Sequence, residues 1–209
     1  MPNKMHGQKI TAIVLAAGLG SRFGGDKLLV PIASPNHSSN QQALGLISAL
    51  NVKPHVEDVL CIVKPNDKAL KELLHMNGFR TVDNPDYEKG LSTSITTGIR
   101  ALTHCATQSH YMICLGDMPY ISAATYEALT LAFKQGLEKQ SKLIIRPVLA
   151  VSNQAGHPVI FSQGYQQDLQ ELTGDDGAKP IIKRQGFTPV LVDDSGILID
   201  IDVKEDIRS

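Results

Sequence analysis

Cysteine is scarce in this sequence. Its three residues, Cys61, Cys105 and Cys114, stand far apart without any CxxC spacing. Cys61 and Cys114 fall inside apolar runs, where a small buried thiol is the expected role, and such usage suits a reducing cytosol. Long hydrophobic runs are missing too: no segment approaches the roughly 20 apolar residues of a membrane span. The run from Ile10 to Ala17 follows Lys4 and Lys9 as a secretory signal would, but it is only eight residues long and flows into a glycine-rich loop. A cleaved signal is therefore not expected, and a cytoplasmic location is. Charge of neither sign dominates, with 20 basic against 21 acidic residues and a net charge of −1. No basic stripe is present, which speaks against nucleic acid as a partner, although a small anion needs only a local positive site. There is no internal repeat and no low-complexity tract. With 209 residues and 42% apolar content, a single domain over 1–209 is the expectation.

What is present is an alternation of β-branched apolar runs with amphipathic stretches. After Ile10 to Ala17, strands are expected over 58–64, 78–82, 111–115 and 143–145, with helices over 66–76, 92–104 and 123–139 between them. Successive βαβ units of this length predict a single-domain, Rossmann-like, three-layer αβα sandwich with a mainly parallel sheet. The C-terminal third is less regular, with short strands expected at 158–161, 189–192 and 197–201 and helices over 163–172 and 176–185. The polar segment 31–42 reads as a loop, with a helix starting near Ser39. In an open α/β sheet, functional loops gather at the carboxyl ends of the strands. The glycine-rich loop, the 84–94 region and the Gly116-Asp117 turn should then share one cleft.

The loop itself, Leu15-Ala16-Ala17-Gly18-Leu19-Gly20-Ser21-Arg22-Phe23-Gly24-Gly25-Asp26-Lys27, is a strand running directly into glycines and two cations. Glycines let backbone N–H groups approach an anion, and Arg22 and Lys27 add full positive charge. It fits neither common template. A P-loop needs Gly-Lys-Ser/Thr, whereas Lys27 lies between Asp26 and Leu28. A dinucleotide fingerprint needs a glycine where Phe23 stands and an acid about 20 residues on, yet no Asp or Glu occurs between Asp26 and Glu57.

Three further groups carry candidate chemistry. Pro119 ends any strand extension after Gly116-Asp117-Met118, leaving the Asp117 carboxylate at the sheet edge either as a hard magnesium ligand or as a helix cap. Strand alternation would put Asp200 and Asp202 on one face, where two acids suit a metal or a solvated strand end. In Asn84 to Ile95, Ser92 or Thr93 would cap a helix, and its free N–H groups and hydroxyls could meet a nucleobase or ribose. His157, beside Pro158, reads more readily as a turn residue than as a catalytic base.

Leu15 to Lys27 resembles the signature loop of the MobA-like nucleotidyltransferases, most closely that of the MocA-type molybdenum cofactor cytidylyltransferases. The similarity extends through Gly116-Asp117-Met118-Pro119, Gly156-His157-Pro158, Gly174-Asp175-Asp176-Gly177 and Asp200-Ile201-Asp202. It implies a fold like that of the nucleotide-diphospho-sugar transferases. The activity implied is transfer of CMP from CTP to the phosphate of a molybdopterin-type molybdenum cofactor, releasing pyrophosphate, with Mg²⁺ as cofactor. It places the triphosphate on the loop, with Leu15, Ala16, Ala17, Gly18, Gly20 and Ser21 around it and Arg22 and Lys27 on phosphates. It gives Asp117 the metal, shared with Asp202 in preference to Asp200, and brings Gly90, Leu91 and Ser94 to the nucleotide. The half around 156–179 would face the acceptor. Ala17 is the cytidylyl-type residue where guanylyl-type members carry a second glycine. Two departures stand out: Ala33 to Gln42 replaces an apolar Gly-x-Pro-Leu-Leu turn, and Val203-Lys204-Glu205-Asp206 lacks the threonine and proline of the family's capped helix start. The alternatives are guanylyl transfer, cytidylyl transfer to a sugar or polyol phosphate, or a non-catalytic carrier or insertion partner for a molybdoenzyme. A molybdoenzyme or insertion chaperone is the implied protein partner.

Overall fold

The computed structural model describes residues 9–18, 23, 26–33, 41–104 and 109–207, apart from the side chain of His104. Its centre is β1 (Ile10–Ala16), in which every residue is buried. A strand covered on both faces must be apolar on both, and this run is. Alternation sends Ile10, Ala12, Val14 and Ala16 into one core and Ile13 and Leu15 into the other. Parallel neighbours flank it, β4 (Asp58–Val63) and β6 (His110–Leu115), so that Cys61 and Cys114 both stand opposite Val14. Burial pushes the Cys61 thiol up to about 12 and Cys114 higher still, which makes them inert packing groups. Cys105 lies outside the described residues.

The main sheet continues outward through β5 (Arg80–Asp83) on one side and through β9 (Val159–Phe161), β7 (Ile144–Leu149) and β10 (Thr188–Val192) on the other, in the order β10-β7-β9-β6-β1-β4-β5. Only β9 and the short β8 (Gln154–Ala155) run antiparallel. On one face pack α1 (Leu44–Val52), α2 (Lys68–Met76) and α4 (Ala123–Leu137), contributing Leu46, Leu70 and Phe133 among others. On the opposite face lie α3 (Leu91–His104), α5 (Gln166–Gln170) and α6 (Lys179–Gln185), through Ile95, Leu169 and Ile181. This is the expected three-layer Rossmann-like α/β fold.

Several expected boundaries move. The helix expected near Ser39 starts at Leu44, preceded by β2 (Pro31–Ile32) and β3 (Gln42–Ala43) as a two-stranded antiparallel ribbon. The segment 34–40, part of the expected loop, lies outside the described residues. α1 is almost wholly buried, so it lacks the polar face that would have marked its start. The larger correction concerns 197–201. In place of a strand, Ser195–Leu198 forms a 3-10 turn and the chain continues irregularly to Asp202. This strap is squeezed between two loops. His157 N–H donates to the Ile197 carbonyl at 2.9 Å, and Ile201 N–H to the Asp117 carbonyl at 3.0 Å. A Cβ on Gly196 would lie 2.2 Å from the Tyr120 carbonyl oxygen, and one on Gly156 would lie 2.2 Å from that of Ile197. Glycine is thus required at both positions by close backbone approach.

His157 supports this packing as the turn residue it was expected to be, its peptide bond to Pro158 being cis. Burial, together with the nearby Arg146 and Lys179 charges, lowers its imidazole to about 4. An unfolded histidine titrates near 6.5, so the unfolded chain binds a proton that the native state refuses as pH falls between those values. Stability should therefore drop by roughly 2–3 kcal/mol between pH 7 and pH 4 from this group alone. In urea unfolding at both pH values, His157→Gln should remove that share of the pH dependence; an unchanged slope would contradict the assignment.

Candidate active site

Three chain segments meet at the carboxyl edge of the sheet because a small third core binds them together. Phe23 from the glycine-rich loop, Tyr120 from the turn after β6 and Ile201 from the strap pack with Ile32, Leu44 and Ile47. Phe23 stands at the sequence position where a dinucleotide loop would have its third glycine, and its ring is buried in this small core. Asn51 of α1 adds a polar anchor by donating its Nδ2–H to the Pro119 carbonyl at 2.8 Å. Asp194 fixes the strap from the other end, accepting from Ser122 N–H at 2.9 Å and from the Thr125 hydroxyl at 2.6 Å.

The consequence is a convergence of charge. Lys27 Nζ lies 2.8 Å from Asp117 Oδ2 and 3.1 Å from Asp202 Oδ1. The lysine is 8% exposed, which makes its charge costly without partners. Burial is the largest single influence and pulls its basicity down, but Asp117 and Asp202 together outweigh it and hold the ammonium above its ordinary range. Burial, reinforced by the Asp200 charge, raises the Asp117 carboxyl despite Lys27. Ser122, and not Asp117, caps α4, accepting from Thr125 N–H. The helix-cap alternative for Asp117 is thereby removed.

Asp200 and Asp202 do meet Asp117, but the strap delivers them and strand alternation does not. Their turn is also closed differently from the expected weak cap. Asp206 Oδ2 accepts from the backbone N–H of Asp202 at 2.8 Å and of Val203 at 2.9 Å, fixing the backbone that carries Asp202.

These groups line a cleft with a volume of about 660 Å³. Leu15, Ala17 and Gly18 form part of its wall, with Lys27, Gly90, Leu91, Ser94, Asp117, Asp200 and Asp202. Ala16 is turned away into the core against the α1, α2 and α4 face. Gly20, Ser21 and Arg22 lie outside the described residues. The start of α3 differs from expectation. Ser92 and Thr93 donate their hydroxyls to carbonyls, of Thr173 and Gly90 respectively, while the first helical N–H, on Leu91, donates to Asp175 Oδ1 at 3.0 Å. The cap comes from a loop far along the chain. Ser94 accepts from Asn84 Nδ2 at 3.0 Å. Gly90, with φ of +111°, passes so close to the 174–175 backbone that a Cβ would meet the Gly174 oxygen at 2.5 Å.

Lys64, Asp67 and Asp175 also line the cleft and were missed in the sequence. Lys64 directly follows β4, so the carboxyl-edge rule could have found it. Asp175 stands in the Gly174-Asp175-Asp176-Gly177 stretch that resembles the family, but its role as a cap could not be read locally, since its partner Leu91 is 84 residues away. Among the described residues the cleft holds seven carboxylates against three lysines, so a bare triphosphate would be repelled from much of its wall. Hard carboxylate oxygens already gathered around one cation form a donor set suited to magnesium. Among the described residues no three acidic, histidine or cysteine groups form a closed metal cage. Magnesium usually needs only one or two carboxylates when phosphate oxygens complete its shell.

A lysine and three aspartates lining a cleft at the carboxyl edge of an open α/β sheet suit a nucleotidyltransferase. The chain belongs to the MobA-like NTP transferase domain family, whose model matches residues 12–190. It is 28% identical over 215 residues to the purine catabolism protein PucB of Bacillus subtilis, covering 97% of this chain and 96% of the relative. It is 22% identical over 200 residues to the molybdenum cofactor cytidylyltransferase of Escherichia coli, covering 94% and 93%. Among solved structures, Rv0371c of Mycobacterium tuberculosis superposes with a TM-score of 0.75 at 23% identity, covering 97% of this chain and 96% of that one. A manganese complex of that protein matches with a TM-score of 0.70 at 21% identity, covering 95% of each chain. No helix of the described residues is long and apolar enough to cross a membrane.

Proposed function

We propose that the protein transfers CMP from CTP to the terminal phosphate of a molybdopterin-type molybdenum cofactor and releases pyrophosphate. The observation that carries this reading is the Lys27 ammonium held between Asp117 and Asp202 at the cleft wall. A carrier of finished cofactor needs neither group. The transfer requires an acceptor phosphate oxygen to attack the α-phosphorus while the bond to the pyrophosphate oxygen breaks on the opposite side. No covalent enzyme intermediate is needed, so positioning and charge neutralisation do the work. Lys27, with Arg22, neutralises the triphosphate. Gly90, Leu91 and Ser94 border the nucleoside, and Asp175 fixes the start of α3 that carries Leu91 and Ser94. Asp117, with Asp202 or Asp200, would hold magnesium, which supplies charge neutralisation on the phosphate oxygens. The manganese complex of the mycobacterial relative supports divalent metal use.

Cytidine is supported by Ala17 in the loop and by the similarity to the cytidylyltransferase. The higher identity to the purine catabolism protein favours a second reading, in which the same nucleotidyl chemistry serves purine breakdown. Guanylyl transfer, or transfer to a sugar or polyol phosphate, would use the same residues. Incubating the protein with each of the four nucleoside triphosphates, magnesium and molybdopterin cofactor, and measuring pyrophosphate, tests the donor and the acceptor together. CTP should be preferred by at least about tenfold in kcat/KM. Preference for GTP, or release that does not depend on the pterin, would overturn the respective half of the reading.

A further inference from the structure

We propose that Lys27 also acts as an internal stand-in for the metal, keeping the carboxylates closed in the free protein and making metal entry conditional on nucleotide. The proposal rests on the assignment of Asp117 and Asp202 as metal ligands given above. Its basis is geometric. One ammonium, itself buried, touches both carboxylates, at 2.8 and 3.1 Å, while Asp117 and Asp202 stay partly open to the cleft. A second cation entering between these oxygens would meet the ammonium charge at contact range in a partly desolvated site, where like-charge repulsion is strong. The pair is held by the fold: its two bonds join residues 90 and 175 positions apart. Lys27 starts a three-residue 3-10 turn, Lys27–Leu29, tied at both ends by backbone bonds from Leu29 to Asp26 and from Val30 to Lys27.

A triphosphate carries more negative charge than the two carboxylates and offers the lysine several charge-assisted acceptors at once. When Lys27 turns to phosphate oxygens, Asp117 and Asp202 together lose the charge it lends them, and a divalent cation becomes the group that replaces it. Nucleotide and metal would then enter as a coupled pair. The acidic excess around the cleft would not by itself load metal, because its innermost carboxylates are already satisfied.

The test measures Mn²⁺ binding by paramagnetic resonance on the full chain, with manganese alone and with manganese plus a non-hydrolysable CTP analogue, the nucleotide's own binding being subtracted. Wild type should bind Mn²⁺ weakly alone and tightly with the analogue. Lys27→Met should bind Mn²⁺ alone tighter than wild type by about tenfold or more. Lys27→Arg, which keeps the charge, should stay weak. Circular dichroism checks that each variant is folded, and the Met and Arg pair separates loss of charge from loss of structure. If Lys27→Met binds Mn²⁺ no better than wild type while binding with the analogue still requires Asp117, the stand-in role is overturned and the metal assignment survives. Binding that ignores Asp117→Asn with and without the analogue would instead overturn the metal assignment and this proposal with it.

Discussion

Asp117→Asn is expected to lower metal-dependent pyrophosphate release by about two to three orders of magnitude while leaving the fold in place. Asparagine keeps the volume and one oxygen but removes the negative charge that contacts Lys27 and that a divalent cation would share under the proposed function. The backbone role is untouched, since Ile201 donates to the Asp117 carbonyl and not to its side chain. Nor does the substitution uncap α4, because Ser122 performs that task. Burial and the neighbouring Asp200 already disfavour the charged form of Asp117, so its removal relieves a cost as well as breaking a contact. The thermal midpoint should therefore stay within a few degrees of wild type. Near-normal turnover would remove Asp117 from the metal site, and a collapse in stability would show a structural role that its contacts do not reveal.

Gly196→Ala should have the opposite profile, damaging stability and activity together. The new methyl would stand 2.2 Å from the Tyr120 oxygen and 2.5 Å from its carbonyl carbon, and neither is a flexible side-chain end that could swing away. The strap must shift, at an expected cost of about 2–4 kcal/mol. Its displacement carries Ile201 out of the small core and Asp202 away from Lys27, so turnover should fall by at least about tenfold even at temperatures where the variant is folded. Denaturant unfolding and steady-state kinetics together check this. Wild-type values in both would mean that the strap accommodates the methyl and does not fix the site.

The parts of this molecule that repeat a short pattern could be read directly. β1, β4 and β6 are apolar runs bounded by polar residues, α2 and α3 are amphipathic, and the glycine-rich loop and the Gly116-Asp117 turn announce themselves by residue type. α1 starts later than its sequence suggests because a helix buried on nearly all sides has no polar stripe. The strap was misread as a strand because Ile197-Leu198-Ile199 has strand composition, while the close approaches at Gly196 and Gly156 that bend it are tertiary. Similarly, Ser92 and Thr93 looked like caps because capping is usually local, and the actual acceptor, Asp175, reaches Leu91 from a loop closed by long-range contacts. Ala16 sits in a signature loop yet faces the core, because alternation along β1 continues to that residue.

The strap that carries Asp202 also sets when the protein can work. Of the three, Lys27 leaves the ribosome first, Asp117 follows 90 residues later, and Asp202 comes 175 residues after Lys27. The central strands can pair while the C-terminal part is still being synthesised, and domains generally begin folding from the N-terminal side during synthesis. Until residues 201 and 202 emerge, however, the buried lysine has only one of its two carboxylates, and Phe23 and Tyr120 lack Ile201 between them. Assembly of the charge cluster therefore waits for the strap, and a nascent chain halted before residue 202 would have the cleft without its full charge set.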